Sequence, residues 1–227
     1  MITSLGLCGT LIGNAMAGRF MHHGRRASIF IGCITAIAGA CLMQILVYWI
    51  FTGGTVFVQF GTGVMEVAQS CLIEEYVPLD LLGPCLAVIS VVGQLSTLVG
   101  LVSVNWMPSD DDQEALEADE SWRFVQGLQL FVLVIILVYM LCCVRYDSPK
   151  FYVTQKKDSL ARKVIRQIYH IDSFECSEDS VLAEIKRLSS VETNEVSLRD
   201  AFFRDERYRR SSWIAIVLTA CVWLCGF

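Results

Sequence analysis

The sequence predicts an all-α membrane protein that crosses a bilayer several times, and three observations carry that expectation. Hydrophobic side chains make up 54% of the 227 residues and charged ones only 18%, whereas soluble domains are less apolar and about a quarter charged. No charged side chain falls between Ala27 and Met65, a run too long for one crossing of a bilayer core that needs about 20 residues. The charges are also segregated along the chain, so the net value of -5 says little by itself.

Six apolar stretches follow one another, at residues 2–18, 27–51, 55–73, 81–107, 124–144 and 213–227. The first has no basic residue before it and runs straight into a basic loop, which predicts a retained helix rather than a cleaved signal. The second and third share the uncharged run and need a break. Thr52-Gly53-Gly54 is the expected place, because paired glycines stop a helix cheaply while the flanks stay apolar. The first and last stretches are short for a crossing and read as cut by the chain ends, so the expectation is a segment of something longer. Between the fifth and sixth stretches, residues 147–212 read as short amphipathic helices. Leu160, Ala161, Val164, Ile165 and Ile168 repeat at helical spacing after Asp158, and Val181, Leu182, Ile185 and Leu188 do the same after a Ser/Asp cluster. Ser197-Leu198-Arg199-Asp200 has capping-box spacing before Ala201-Phe202-Phe203. Helices so short are marginal alone in water, so they are expected to dock on the ends of the membrane helices.

Basic residues set the orientation. Arg19, Arg25 and Arg26 crowd the first loop, and Arg145, Lys150, Lys156, Lys157, Arg162, Lys163 and Arg166 lead the long loop before Trp213. Both loops are expected to be cytoplasmic. Residues 110–120 carry no Lys or Arg, and counting crossings places them on the opposite face. Glu74, Glu75 and Asp80 lie on the cytoplasmic side without a basic residue, though acidic residues weigh little in this rule.

Gly9, Gly13 and Ala17 form a small-residue ladder in the first stretch, and Gly32, Ala36 and Ala40 form another in the second. They are read as packing seams, since small residues let helices approach where lipid and helix are equally apolar. The loop from Gly18 to Arg26 fixes two arginines in a very short turn bracketed by glycines, presenting forked donors at the membrane face. His22-His23 are read as interfacial side chains. Glu66 stands inside an apolar helix, where a carboxylate is either a proton site, a substrate contact, or a group hydrogen-bonded within the bundle. The ten cysteines show no CxxC pair and no metal-ligand spacing. Most fall inside apolar runs as small hydrophobes, while Cys142-Cys143 at a membrane boundary add the option of palmitoylation.

The ordered motifs resemble the sugar-porter branch of the major facilitator superfamily. Gly13-Asn14-Ala15-Met16-Ala17-Gly18-Arg19 followed by Gly24-Arg25-Arg26 is similar to that family's loop between helices two and three. Gly61-Thr62-Gly63 with Glu75 and Pro78 resembles helix four and its exit, and Trp122-Arg123 resembles the start of helix six. Asp147-Ser148-Pro149-Lys150-Phe151 is similar to the Glu-Ser-Pro-Arg element, and Phe202 through Arg209 resembles the approach to helix seven. The likeness covers nearly the whole chain. It implies a partial fold of that superfamily, with helices two to six, a cytoplasmic helical linker and the start of helix seven. It also implies a rocker-switch carrier in which two six-helix bundles tilt about a central site. The domains expected from it are 1–146, a bundle lacking its first helix; 147–212, the linker; and 213–227, the truncated start of a second bundle. It further implies that Arg25, Arg26, Glu75 and Asp147 form ion pairs that latch the bundles on the cytoplasmic face.

The chain departs from the family pattern at several positions. An Arg after the helix-four Pro is Leu82 here, the Arg opening helix four is Thr55, and the paired Gln of helix seven falls on Val222-Trp223. The helix-five Gln falls on Ser90, with Gln94 one turn on. Ser90, Gln94 and Glu66 are therefore the substrate or proton candidates. The expected function is transport of a hexose or similar small polar solute in a multi-pass membrane protein, with the plasma membrane as its place. Lipid, the solute and protons are the expected partners, without nucleic acid, metal or cofactor. A non-transporting sensor or scaffold that keeps the fold is the alternative. An enzyme is not expected, because no Ser/His/Asp grouping or phosphate loop is visible. The isolated chain is expected not to transport.

Overall fold

The computed structural model describes residues 2–45, 47–77, 79–104, 121–169 and 178–192, together with 213, 214 and 217. Among them every regular element is a helix. Five are long: α1 (Ile2–Met21), α2 (Arg25–Met43), α3 (Tyr48–Tyr76), α4 (Leu79–Val104) and α5 (Ser121–Cys142). Three are shorter: α6 (Pro149–Thr154), α7 (Asp158–Tyr169) and α8 (Glu178–Glu192). The acidic loop expected at 110–120, Pro78, the capping box at 197–200, the approach at 202–209 and most of the last apolar stretch lie outside the described residues. The chain divides into two compact units, Met1–Leu182 and Ala183–Phe227, and all five long helices belong to the first.

Four helices, α2 to α5, are long and apolar enough to cross a membrane. α3 sits at the centre of the packing, with α1 and α2 each laid along it and α5 resting on α2. Seams of small residues permit this. A Cβ on Gly9 would lie 2.6 Å from the Val56 carbonyl oxygen, and one on Gly13 would run into that of Phe60. On the α2 side, a Cβ on Gly39 would lie 2.7 Å from the Gly54 oxygen, and one on Gly61 would run into the Gly32 oxygen and lie 2.8 Å from the Ala36 nitrogen. Cys33, Ala36, Ala40, Met43, Val58 and Leu133 close the core between α2, α3 and α5, while Ile29, Ala68 and Met140 continue it toward the other end.

The uncharged run does not break at Thr52-Gly53-Gly54, which lies within α3. The chain leaves its helix instead after Met43, where Gln44 N–H bonds the Cys41 carbonyl and Ile45 N–H that of Leu42. The glycines remain helical because Gly54 is an approach point: its Cβ would meet the Gly39 oxygen and Met43 Cγ at 2.8 Å. Between helices in lipid, close van der Waals approach replaces the hydrophobic effect as the reason for burying a surface. Tyr48 and Trp49 follow the turn with rings 5.3 Å apart, and Trp49 is 75% exposed, an interfacial aromatic anchor.

The seam makes a direct prediction. Gly61→Val is expected to destabilise the fold by about 1–3 kcal/mol through overpacking, measured by unfolding in mild detergent. Gly53→Val, where a Cβ meets nothing within 4 Å, is expected to be near neutral. Equal losses at both positions would remove the α2–α3 seam from the account.

α4 is the outlier. It is solvent- or lipid-facing over most of its length and touches α3 at few points. Beyond the membrane helices, Ser148 caps α6 by accepting the Phe151 N–H at 3.2 Å. α7 then buries Ala161, Val164 and Ile165, three members of the apolar face expected from its spacing, while Leu160 of that set is exposed.

Candidate functional site

The turn between α1 and α2 is closed by backbone bonds from His23 N–H to Phe20 and from Gly24 N–H to Met21, both 3.0 Å. Gly24 has φ 118 and ψ 151, a region open essentially to glycine alone. The conformation leaves α2 beginning without a capping side chain of its own. Its first N–H groups need acceptors, and Asp147, distant in sequence and just beyond the end of α5, supplies them. Asp147 Oδ1 accepts Arg25 N–H at 3.1 Å, and Oδ2 accepts Arg26 N–H at 3.3 Å. The carboxylate thus sits on the positive end of the α2 dipole. It fits so closely against Gly24 that any Cβ there would strike Oδ2.

A second carboxylate lies beside it. Glu75, in the last turn of α3, accepts from Arg25 Nη2 at 2.8 Å with its Oε1 and from the Ser148 hydroxyl with its Oε2. Arg25 also donates from Nη1 at 3.3 Å to the Met21 carbonyl, which accepts the Gly24 N–H as well. The Glu75 side chain is only 6% exposed and that of Arg25 24%, so the pair is largely desolvated. Phe151 covers it, with the guanidinium carbon 6.0 Å from the ring centre. Tyr76 donates its hydroxyl to the Tyr146 carbonyl at 3.3 Å, and the Tyr152 hydroxyl accepts the Asp147 N–H at 3.3 Å. A hydrogen bond from Lys163 holds the Tyr146 phenol below its ordinary value.

The result is one polar knot joining the α1–α2 turn, the end of α3 and the segment between α5 and α6. Arg25, Glu75 and Asp147 meet in it. Arg26 enters through its backbone only, while its side chain lines a neighbouring cavity of about 400 Å3 with His23, Phe30, Leu141 and Phe151. Asp147 is matched to backbone N–H groups of α2 rather than to a guanidinium. Ser148, Tyr76 and Tyr152 were not visible as members from residue type or spacing.

Glu66, Ser90 and Gln94 stand apart from the knot. Glu66 is exposed on α3, and among the described residues no donor meets its carboxylate. It is not alone on that face. Thr55, Gln59, Thr62, Glu66 and Gln69 recur at intervals of four, three, four and three, which places them on one side of a helix. The side lies between the α1 seam at Val56 and Phe60 and the α2 seam at Gly54, Val58 and Gly61. Gln59 accepts from the Thr10 hydroxyl at 3.1 Å. The spacing of this polar stripe was available in the sequence, where only Glu66 drew attention. Ser90 and Gln94 are exposed one turn apart on α4, with the Ser90 hydroxyl returned to the Leu86 carbonyl at 3.1 Å.

Comparison with known proteins places this arrangement. The chain is similar to inositol transporter 4 of Arabidopsis thaliana, 24% identical over 210 residues that cover 88% of this chain and 33% of that protein. It is also similar to hexose transporter 1 of Toxoplasma gondii, 24% identical over 200 residues, 83% of this chain and 33% of that one. The chain therefore spans about a third of the length of these curated relatives. Among solved structures, the proton:xylose symporter XylE bound to 6-bromo-6-deoxy-D-glucose superimposes with a TM-score of 0.69 at 17% identity, covering 89% of this chain and 45% of that one. The inward-open form of XylE from E. coli gives 0.65 at 19% identity, with 88% and 47% covered. The fold is that of the major facilitator superfamily. The sugar (and other) transporter family model matches residues 1–227, and this multi-pass integral membrane chain belongs to that family.

Proposed function

We propose that the protein is part of a solute carrier that moves a hexose, cyclitol or similar polyhydroxylated ring by alternating access. The observation that carries this reading beyond family membership is the stripe Thr55–Gln59–Thr62–Glu66–Gln69. Five polar residues on one face of a membrane helix are costly against lipid and suit a wall of a watered path. Carboxylate and amide groups at these positions accept and donate to ring hydroxyls. Relatives named for inositol, hexose and xylose support a solute of this chemistry.

In this proposal residues 1–146 form the first bundle, 147–212 a cytoplasmic linker and 213–227 the beginning of a second bundle. The knot of Arg25, Glu75, Asp147 and the Arg26 backbone is the cytoplasmic latch. It keeps three segments moving as one body, so that a tilt is transmitted rather than absorbed. Glu66 is the group that senses protons, Ser90 and Gln94 lie on the helix that would complete the site, and the plasma membrane is the place of action.

Uptake of labelled hexoses and myo-inositol by cells lacking their own carriers tests the reading, using the complete gene product and its Glu66→Gln variant. Saturable uptake by the parent is expected, with a pH dependence that flattens in the variant. Uptake no higher than in vector-only cells for every such solute would sink the transport proposal. An unchanged pH profile in Glu66→Gln would remove Glu66 from coupling.

A further inference from the structure

We propose that Cys142 and Cys143 form an S-acylation site that takes a long-chain fatty acyl group on the cytoplasmic edge of the bilayer. The inference rests on the orientation adopted above, in which the basic loops are cytoplasmic. Three features of the structure converge on it.

The first is depth. α5 is 22 residues long, or about 33 Å at 1.5 Å per residue, which matches a hydrocarbon core of about 30 Å. Cys142 is its last residue, and the helix closes there through Cys143 N–H to the Tyr139 carbonyl at 2.8 Å. The thiols therefore stand where hydrocarbon gives way to headgroups, and Arg145 follows at the polar level. The second is access. Cys142 and Cys143 are both exposed, whereas Cys33 is buried and Cys71 and Cys85 are half-buried. Cys71 and Cys85 are each partly covered within a helix, five residues before the end of α3 and six after the start of α4. Cys8 and Cys41 are exposed too, but Cys8 lies well inside α1, thirteen residues before its end at Met21, and Cys41 near the end of α2 opposite the basic turn.

The third is the surroundings of the two sulfurs. Cys142 and Cys143 line an open cavity of about 590 Å3 with an apolar wall of Leu72, Ile73, Val144 and Val164 and a polar side that includes Arg145 and Gln167. An acyl chain leaving either sulfur meets this apolar wall before entering the inner leaflet. The chain would tether the α5–α6 link, and with it the docked α7, to the membrane surface.

The reaction is thioester exchange. The cysteine sulfur attacks the carbonyl carbon of a long-chain acyl-coenzyme A, the new sulfur–carbon bond forms, and the bond to coenzyme A breaks. The thiol proton leaves with the coenzyme A sulfur, and no oxidant or reductant takes part.

The test uses the full gene product in membranes of eukaryotic cells fed an alkynyl palmitate. Free thiols are blocked with N-ethylmaleimide, thioesters are opened with neutral hydroxylamine, and the released thiols are tagged with a polyethylene-glycol maleimide. A hydroxylamine-dependent gel shift and alkyne label are expected in the parent and in Cys71→Ser/Cys85→Ser, and are expected to vanish in Cys142→Ser/Cys143→Ser. A parent without the shift, or a shift that survives in Cys142→Ser/Cys143→Ser, would overturn the proposal. Detergent-monodisperse recovery of both double variants excludes misfolding as the cause of a lost label, and Cys142→Ala/Cys143→Ala repeats the result with a different side chain. The readout is independent of uptake, so it separates from failure of the transport reading. A tag placed at Asp110 and found in the cytosol would instead expose an error in orientation.

Discussion

Replacing Glu75 with alanine is expected to cost about 3 kcal/mol of stability, the lower end of the range for breaking a buried pair, because Arg25 keeps some contact with solvent. The loss would come from the partner left behind. Arg25 would retain only the Met21 carbonyl and the face of Phe151, and its buried Nε already has no acceptor. Arg25→Ala is expected to lose at least as much, since it strands a carboxylate that is 6% exposed with one hydroxyl for company. The double variant is expected to lose clearly less than the two singles summed, because the second change removes the uncompensated charge created by the first. Unfolding in mild detergent, followed through the complete cycle, measures this. Losses that add to within about 0.5 kcal/mol would show that the two side chains do not act as a pair.

Gly24→Ala is expected to cost about 2–4 kcal/mol. Two costs combine. A φ of 118 strains any residue with a Cβ, and that Cβ would push Asp147 off the first N–H groups of α2. Gly18→Ala provides the comparison, because a Cβ there meets nothing within 4 Å and the residue is helical. It is expected to be neutral or slightly stabilising. Asp147→Asn should show part of the Gly24→Ala loss, as an amide oxygen can still cap one N–H but carries no charge toward the helix dipole. Equal stability of Gly24→Ala and Gly18→Ala would mean that the turn does not need its glycine.

The membrane class and the long helices were legible because hydropathy is a local property summed over a window, and bilayer thickness fixes the window. The break at Gly53-Gly54 was misplaced for a definable reason. Paired glycines signal a stop where water competes for the backbone, yet the same residues serve as contact points where the neighbour is another helix. The grouping of Arg25, Glu75 and Asp147 came from family likeness and not from spacing, since 50 and 122 positions separate the partners. The manner of their meeting was out of reach. That Asp147 would cap a distant helix follows from Gly24 leaving that helix uncapped, which only the folded turn reveals. The Gln59, Thr62 and Gln69 members of the stripe were legible by simple periodicity but are individually unremarkable residues.

The cap on α2 also sets an order of events during synthesis. The turn that needs Asp147 is translated 122 residues ahead of it, which at 5–20 residues per second is a wait of roughly 6 to 24 s. Throughout that interval the nascent hairpin of α1 and α2 must be held in place by its own seams and by the translocation machinery. A ribosome stalled before Tyr146 would therefore carry a hairpin whose Arg25 and Arg26 amide protons lack the Asp147 acceptor, and their protection would arrive only once Asp147 has cleared the ribosome.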